Sequence, residues 1–478
     1  MITLRTIRRR TALKGTVGAL LGLASSRALK AEEPLSPEMF GARGDGRSND
    51  TLAFTLLAEA IDQRGGGHIV LNTGSVYVVG LQTRAHAGAP GYAYQPARLL
   101  EFSDLRYGLV VEGNGATIRA AAGLRYGSFD RVTGKPHVHV MPFLDISTIA
   151  EPYGAMIAVA RSNGPIVIRN VTLDGNAGAM QIGSGYGDTG IQISGSGIFL
   201  RDNRNDEIIE NVHTHDHPQD GMMIDGLDDE DLASTVVRRA RNVRCENNGR
   251  QGCSLVGGRS WRFEKCAFNR TGRAALSSAP SAGFDIEAEG GKINRGHRFV
   301  DCEFIDNAAN GMVADSGDSA DCHFLQCHFV GTTSWSLWSA KPYFRFQRCL
   351  IVGTAVRPFG DVDPERATQF VECLFTDNPA LSPNGKVYRE DRSDGPLFDL
   401  SDEQNILFDR CKMLCVAGAV LPWSTRAIYR DCTMRQGFAS TGYPRGTYEG
   451  RSTIVGKVAL YGSNFPGSVI VNGQVYEP

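Results

Sequence analysis

The chain has 478 residues, a formal charge of −2, 56 glycines and 11 cysteines. A near-neutral balance with no basic face excludes a nucleic-acid-binding role, and many glycines among short apolar runs exclude a helical bundle in favour of a turn-rich, all-β chain. A length that would ordinarily split into several domains reads here as one array, because a short cysteine-centred unit recurs along it.

Residues 1–31 come first. Arg9-Arg10-Thr11-Ala12-Leu13-Lys14 resembles the twin-arginine export consensus, and the apolar run over 15–24 is too short to cross a bilayer comfortably. A twin-arginine signal peptide is therefore expected over 1–31, with that export machinery as a partner and a periplasmic or secreted product. No other stretch is long and apolar enough for a membrane span. The segment holds seven basic residues (Arg5, Arg8, Arg9, Arg10, Lys14, Arg27, Lys30); without them 43 basic side chains face 52 acidic ones, which again argues against nucleic acid.

Residues 32–80 read as a cap and first coil. Met39-Phe40-Gly41-Ala42-Arg43-Gly44-Asp45-Gly46 leads to Asn49-Asp50-Thr51-Leu52-Ala53-Phe54. Helical spacing runs from Thr51 to Ile61, with Asp50 as the expected N-cap. Gly65-Gly66-Gly67-His68-Ile69-Val70-Leu71 and Gly74-Ser75-Val76-Tyr77 follow. Together these resemble the N-terminal pattern of the pectate-lyase superfamily, which includes polygalacturonase-like and rhamnogalacturonase-like enzymes and phage tailspikes. The resemblance implies a right-handed parallel β-helix with an N-terminal helical cap, and a carbohydrate-directed role.

Residues 81–440 form the expected β-helix of roughly a dozen coils. Over 81–160 the repeat is hard to follow, and aromatic and polar loops are expected to wall a groove. Regular coils then begin: Asn170-Val171-Thr172-Leu173, Asn211-Val212-His213-Thr214 and Asn242-Val243-Arg244-Cys245 align with Asp301-Cys302-Glu303-Phe304. The cysteine unit returns at Cys266, Cys302, Cys327, Cys349, Cys373, Cys411 and Cys432. Stacked coils place Cβ atoms about 4.8 Å apart, whereas a disulfide wants about 3.8 Å, so buried thiols are expected. Asn176, Asn247, Asn248 and Asn307 read as stacked turn residues. Residues 441–478 lose the cysteine unit and are expected to supply C-terminal capping strands.

The chemistry is expected on the strand after each coil's glycine. Alternation exposes Phe199/Arg201, Met223/Asp225, Ser254/Val256, Asp285/Glu287 and Val313/Asp315. Asp225, Asp285 and Glu287 are the candidate catalytic carboxyls. Positions two apart on a strand lie about 6.7 Å apart, and Asp225 and Glu287, two coils apart, about 9.6 Å. Both spacings suit an inverting glycosidase pair, which needs about 6.5–9.5 Å. Candidate substrate-binding residues are Arg201, His215, His217, Arg259, Arg273, Asp315 and Trp338. Alternation puts His213, His215 and His217 on one side of their strand. No metal ligands are assigned.

The leading expectation is a polysaccharide-cleaving hydrolase that needs no cofactor. One alternative is a lyase acting on a uronate-containing glycan, where Ca2+ would serve; another is a non-catalytic glycan-binding or surface-structural protein. The superfamily's N-T-D, G-H-G and R-x-K patterns are not cleanly present. Asp285-Ile286-Glu287 does resemble a G-(I/F)-D-I-E segment of other β-helix proteins of the superfamily.

Overall fold

The structure, a computed structural model, describes residues 33–86, 91–138, 146–185, 192–390, 395–400 and 403–477. The expected signal peptide over 1–31 lies outside the described residues, among which no helix is long and apolar enough to cross a membrane.

The helix Thr51–Arg64 closes one end, burying Ala53, Phe54, Leu57, Ala58 and Ile61. Asp50 precedes it but makes no side-chain cap bond. Its carboxylate instead accepts from the backbone N–H groups of Arg43 (2.8 Å) and Gly44 (3.1 Å). The acid therefore clamps the glycine-rich loop rather than the helix. Gly44 has φ +59°, and a Cβ there would meet the Ser75 Cβ at 2.9 Å, so the position demands glycine.

Beyond the helix the strands stack in parallel, coil on coil. Each regular coil contributes one bent strand and one front strand. Glu207–His215 is a bent strand; its corner is Asn211, in the left-handed region at φ 54°. Asp220–Asp225 is the front strand of the same coil. The same corner recurs at Asn170, Asn242, Lys265, Asp301, Gln326, Arg348, Glu372, Arg410 and Asp431. Val171, Val212 and Val243 stand in register just after it. In later coils that place belongs to the recurring cysteine, as the sequence alignment anticipated. Asparagine suits a left-handed corner, and here it also forms a ladder. The Asn242 amide donates to Asn211 (2.9 Å), and the Asn211 amide donates to Asn170 (3.0 Å).

The interior is built of like side chains in columns. Phe263, Phe299, Phe324, Phe346, Phe370 and Phe408 stack face to face with ring centroids 4.5–5.3 Å apart. Each such contact is worth about 0.5–1.5 kcal/mol beyond burial. All eleven cysteines are buried and free. The Cys302 thiol donates to the Phe263 carbonyl, and Cys349 and Cys432 repeat this one coil back, at 3.2–3.5 Å. Burial pushes the Cys432 thiol up to about 12. Asn248 and Asn307 also bond across coils: their amides donate to the carbonyls of Thr214 and Phe268.

Parallel stacking continues past residue 441. Pro444–Glu449 pairs with Ser424–Arg430, and Arg451–Val455 with Thr433–Gln436. The antiparallel hairpin Ser468–Val471/Gln474–Tyr476 then ends it. In the region of irregular repeat, Gln82–Arg84, Tyr94–Pro96, Arg125–Ser128, Ile149–Ala150 and Gln181–Ile182 form a separate five-stranded sheet. It is built from the connections between bent and front strands.

Because the thiols are buried inside coils, a thiol reagent is expected to label none in the native protein and all eleven in guanidinium. Cys327→Val, which copies Val212, is expected to change stability by less than about 1.5 kcal/mol, whereas Cys327→Leu should cost about 1–3 kcal/mol by overpacking. Denaturant titration reads both.

Candidate active site

The front strands set the face. Phe199, Met223, Ser254, Asp285, Val313 and Trp338 occupy one register position on successive strands. Their inward neighbours, Met222, Cys253, Phe284 and Met312, belong to the core. The phase inferred from the glycines is therefore the phase of the stack, but the exposure expected from it fails for Ser254, Val256, Asp285 and Val313, which are buried at 1%, 5%, 8% and 5% exposure. Strand alternation puts Asp285 opposite the inward Phe284 on the strand Ala282–Ile286, and Glu287 follows just past the end of that strand.

Asp285 is only 8% exposed. It accepts a hydrogen bond from the Gln251 amide at 2.8 Å. Burial, then the nearby Glu287 carboxylate, holds its pKa well above the ordinary range; Asp315 and Asp220 act in the same direction and Arg250 against it. Glu287 is half-buried and accepts from the Ser316 hydroxyl. Asp315 is exposed. Burial, then Glu287, also raises Glu289. One coil back lies a buried ion pair: Arg250 grips Asp220 through two bonds of 2.8 and 2.6 Å. Ser254 joins it, donating to Asp220 at 2.9 Å and accepting from Arg250 at 3.1 Å. Burial opposes the Arg250 charge, but Asp220 keeps that guanidinium cationic. The result is a buried carboxyl with a raised pKa beside a second carboxyl, with the Arg250–Asp220 ion pair one coil back.

The other candidates fall elsewhere. A bulge between Ile224 and Asp225 sets Asp225 opposite Gly257. Asp225 is bound by Arg201 (2.7 Å) and Lys292 (2.5 Å), and Lys292 also holds Asp202. It is a neutralised carboxylate, away from Asp285. Arg201 lies over the Phe199 ring at 4.8 Å. Arg259 pairs with Asp228 at 2.8 Å. Arg273 braces the loop connections, donating to Thr332, Thr333 and the carbonyls of Asp306 and Asn307. Its donors are spent on the fold. Trp338 is on the face, with Trp335 edge-on to it at 5.2 Å.

The three histidines do not share a side. Asp216 adopts φ 55°, which turns the chain and drives His217 inside. His217 is fully buried: its Nδ1 accepts from the Tyr153 hydroxyl (2.9 Å) and its Nε2 donates to the Leu173 carbonyl (3.2 Å). Burial lowers its pKa to about 3, so it is a neutral core residue. His213 and His215 stay on the outer side of the bent strand. Burial works against a charge on His215, but Asp216, Asp174 and Glu246 raise its pKa overall. Asp174, His215 and Asp216 bring ligand atoms within 4.8 Å of one another. Arg119 already neutralises Asp174 at 2.7 Å, and Asp216 engages the His215 Nδ1 at 2.6 Å. A cavity of about 460 Å³ beside His213 is lined by Asn170, Asn211 and Asn242 of the ladder together with Asn114, Thr172 and Arg244.

Sequence reasoning missed Asp220, Arg250, Gln251 and Ser254 as a unit. A signal was present, since Asp220 and Gln251 share a register position, but the outward fold of Arg250 onto Asp220 has no local pattern.

Residues 102–351 match the family described as right handed beta helix region. The chain belongs to that right-handed β-helix family. This right-handed β-helix protein is 23% identical over 349 residues to the capsule KN3-specific depolymerase 1 of Klebsiella phage KN3-1. The match covers 71% of the chain but only 36% of the relative, so the chain spans about a third of that protein's length. Among solved structures, it is similar to the A-module of the Azotobacter vinelandii mannuronan C-5 epimerase AlgE6, at 16% identity and TM-score 0.54, over 93% of this chain and 99% of that one. It is also similar to the pre-mature gene product 12 of bacteriophage phi29, at 12% identity and TM-score 0.51, over 92% and 57%. At these identities the likeness shows the β-helix fold alone.

Removing one partner of the buried Arg250–Asp220 pair strands the other charge. Arg250→Ala is therefore expected to cost about 3–5 kcal/mol, far more than Arg259→Ala at its more exposed pair, about 0–1 kcal/mol. Urea unfolding of the two variants makes the comparison.

Proposed function

We propose that this chain is an exported polysaccharide-degrading enzyme, a glycoside hydrolase working on the front face of the β-helix. The observation that carries the reading is Asp285, a carboxyl only 8% exposed and bonded to the Gln251 amide, whose pKa burial and the neighbouring Glu287 raise. A protonated acid next to a second carboxyl is what glycosidic cleavage needs. Asp285 donates its proton to the leaving oxygen. Glu287, braced by Ser316, activates the attacking water. Asp225 serves by holding Arg201 and Lys292 at the edge of the face. The likeness to a phage capsule depolymerase supports a bacterial surface polysaccharide as substrate.

The test is incubation with a panel of capsular and plant polysaccharides. New reducing ends without ultraviolet absorbance support the hydrolase. An unsaturated, ultraviolet-absorbing product whose formation stops with a calcium chelator selects the lyase instead. Asp285→Asn and Glu287→Gln are each expected to lower kcat by about 10²–10⁴-fold; full activity in the double variant sinks the site.

The raised Asp285 pKa also sets pH behaviour. The acid must be protonated, so activity falls as pH rises through that raised value, and Asp285→Asn abolishes this alkaline limb. In stability the sign is the same. A carboxyl raised by folding contributes fully below its unfolded pKa of about 3.9 and loses that contribution as pH rises through its folded pKa. Asp285→Asn is therefore expected to be more stable than the parent at pH 7, with the gain vanishing near pH 3, as read by denaturant midpoints.

A further inference from the structure

Beyond Asp285 the front register runs through Val313 to Trp338 and then to Val356. At one strand spacing per coil, Trp338 stands about 9.6 Å from Asp285 and the Val356 rung about 14 Å. Arg357 follows Val356 directly. Its guanidinium lies over the Trp338 ring, 5.4 Å from the centroid. Its backbone N–H is tied to the Asp399 carbonyl at 3.0 Å. Trp335 packs edge-on against Trp338 at 5.2 Å.

What sets Arg357 apart is its charge balance. Arg201 is neutralised by Asp225, Arg250 by Asp220 and Arg259 by Asp228. Arg273 is spent on Thr332, Thr333 and Asp306. Arg357 is exposed and, among the described residues, has no carboxylate within ion-pair distance. It is a guanidinium on an indole face, on the same strip as the acids. A stacked guanidinium keeps its planar fork free for a carboxylate, and the tryptophan beneath holds it in place. The Glu287 and Asp315 carboxyls repel an anionic group from their own end of the strip. A charged sugar unit is therefore driven to the Arg357 end.

We propose that Arg357, held over Trp338, forms a subsite for a carboxylate-bearing sugar unit farther along the strip from the scissile bond, so that the substrate is an acidic polysaccharide. The proposal rests on the hydrolase reading for its location, but binding tests it separately.

The experiment is affinity electrophoresis of the full chain through gels containing polygalacturonate, hyaluronate or an acidic bacterial capsular polysaccharide. Each polymer is used as it stands and after reduction of its carboxyl groups to alcohols. At least one acidic polymer is expected to retard the protein, and carboxyl reduction to weaken retention at least tenfold. Arg357→Ala should give the same loss on the untreated polymer and no further loss on the reduced one. Arg357→Lys should restore part of it, and added salt should weaken what remains. No carboxyl-dependent retention on any polymer overturns the subsite. So does Arg357→Ala retention equal to the parent's, or a loss equal on both forms of polymer. Asp285→Asn is expected to bind as the parent does. If Arg357-dependent retention persists but nothing is cleaved, the hydrolase reading fails and the subsite stands. If cleavage proceeds with no dependence on Arg357, the subsite fails and the hydrolase stands.

Discussion

Parallel strands stacked in register are the constraint on which everything else depends. Each coil sits one strand spacing, about 4.8 Å, above the last, so a side chain's nearest neighbour is its counterpart in the next coil. Like must tolerate like. Flat rings do so by stacking, as in the column Phe263 to Phe408. Amides do so by donating to one another, as at Asn170, Asn211 and Asn242. Thiols do so by donating to a carbonyl of the preceding coil. The left-handed corner in every coil keeps the columns aligned. It is strained for residues such as Lys265 and Arg348, at about 1–2 kcal/mol each, and only the surrounding stack makes it tolerable.

The same constraint creates the chemistry. Like-on-like stacking of carboxylates is unfavourable, and the outer face concentrates Asp220, Asp285, Glu287 and Asp315. The protein resolves the crowding in two ways. Asp220 is neutralised by a buried arginine. Asp285 is buried without a cation of its own, which raises its pKa. A face that would otherwise be a strip of like charge becomes one fixed ion pair, one buried acid with a raised pKa and two further carboxyls, Glu287 and the exposed Asp315. The strip then runs to Trp338 and Arg357, where the sign of the charge reverses.

Much of this was legible in the residues. The cysteine recurrence and the N-terminal glycine motif specified a stack of coils, because both report short-range needs: an inward side chain after each corner, and a glycine where Ser75 leaves no room for a Cβ. The alternation around Gly221, Gly252 and Gly283 placed Asp285 on the outer face. The site's partners were not legible. Asp220 and Arg250 lie 30 residues apart, and Asp225 and Lys292 lie 67 apart. The histidine pattern misled because Asp216 takes a left-handed conformation that ends the alternation, sending His217 to Tyr153 instead of to the surface.

The sequence by itself determined the solenoid, its phase and the face that carries the acids, since these follow from periodic, nearest-neighbour constraints that each coil restates. Only the tertiary structure decided which of those acids is buried with a raised pKa, which is paired with a cation, and that Arg357, stacked on Trp338, has no carboxylate partner among the described residues. Those outcomes depend on where non-repeating connections such as 247–250 and 287–292 lay their side chains. Such placements are set by packing across coils, and no local pattern records them.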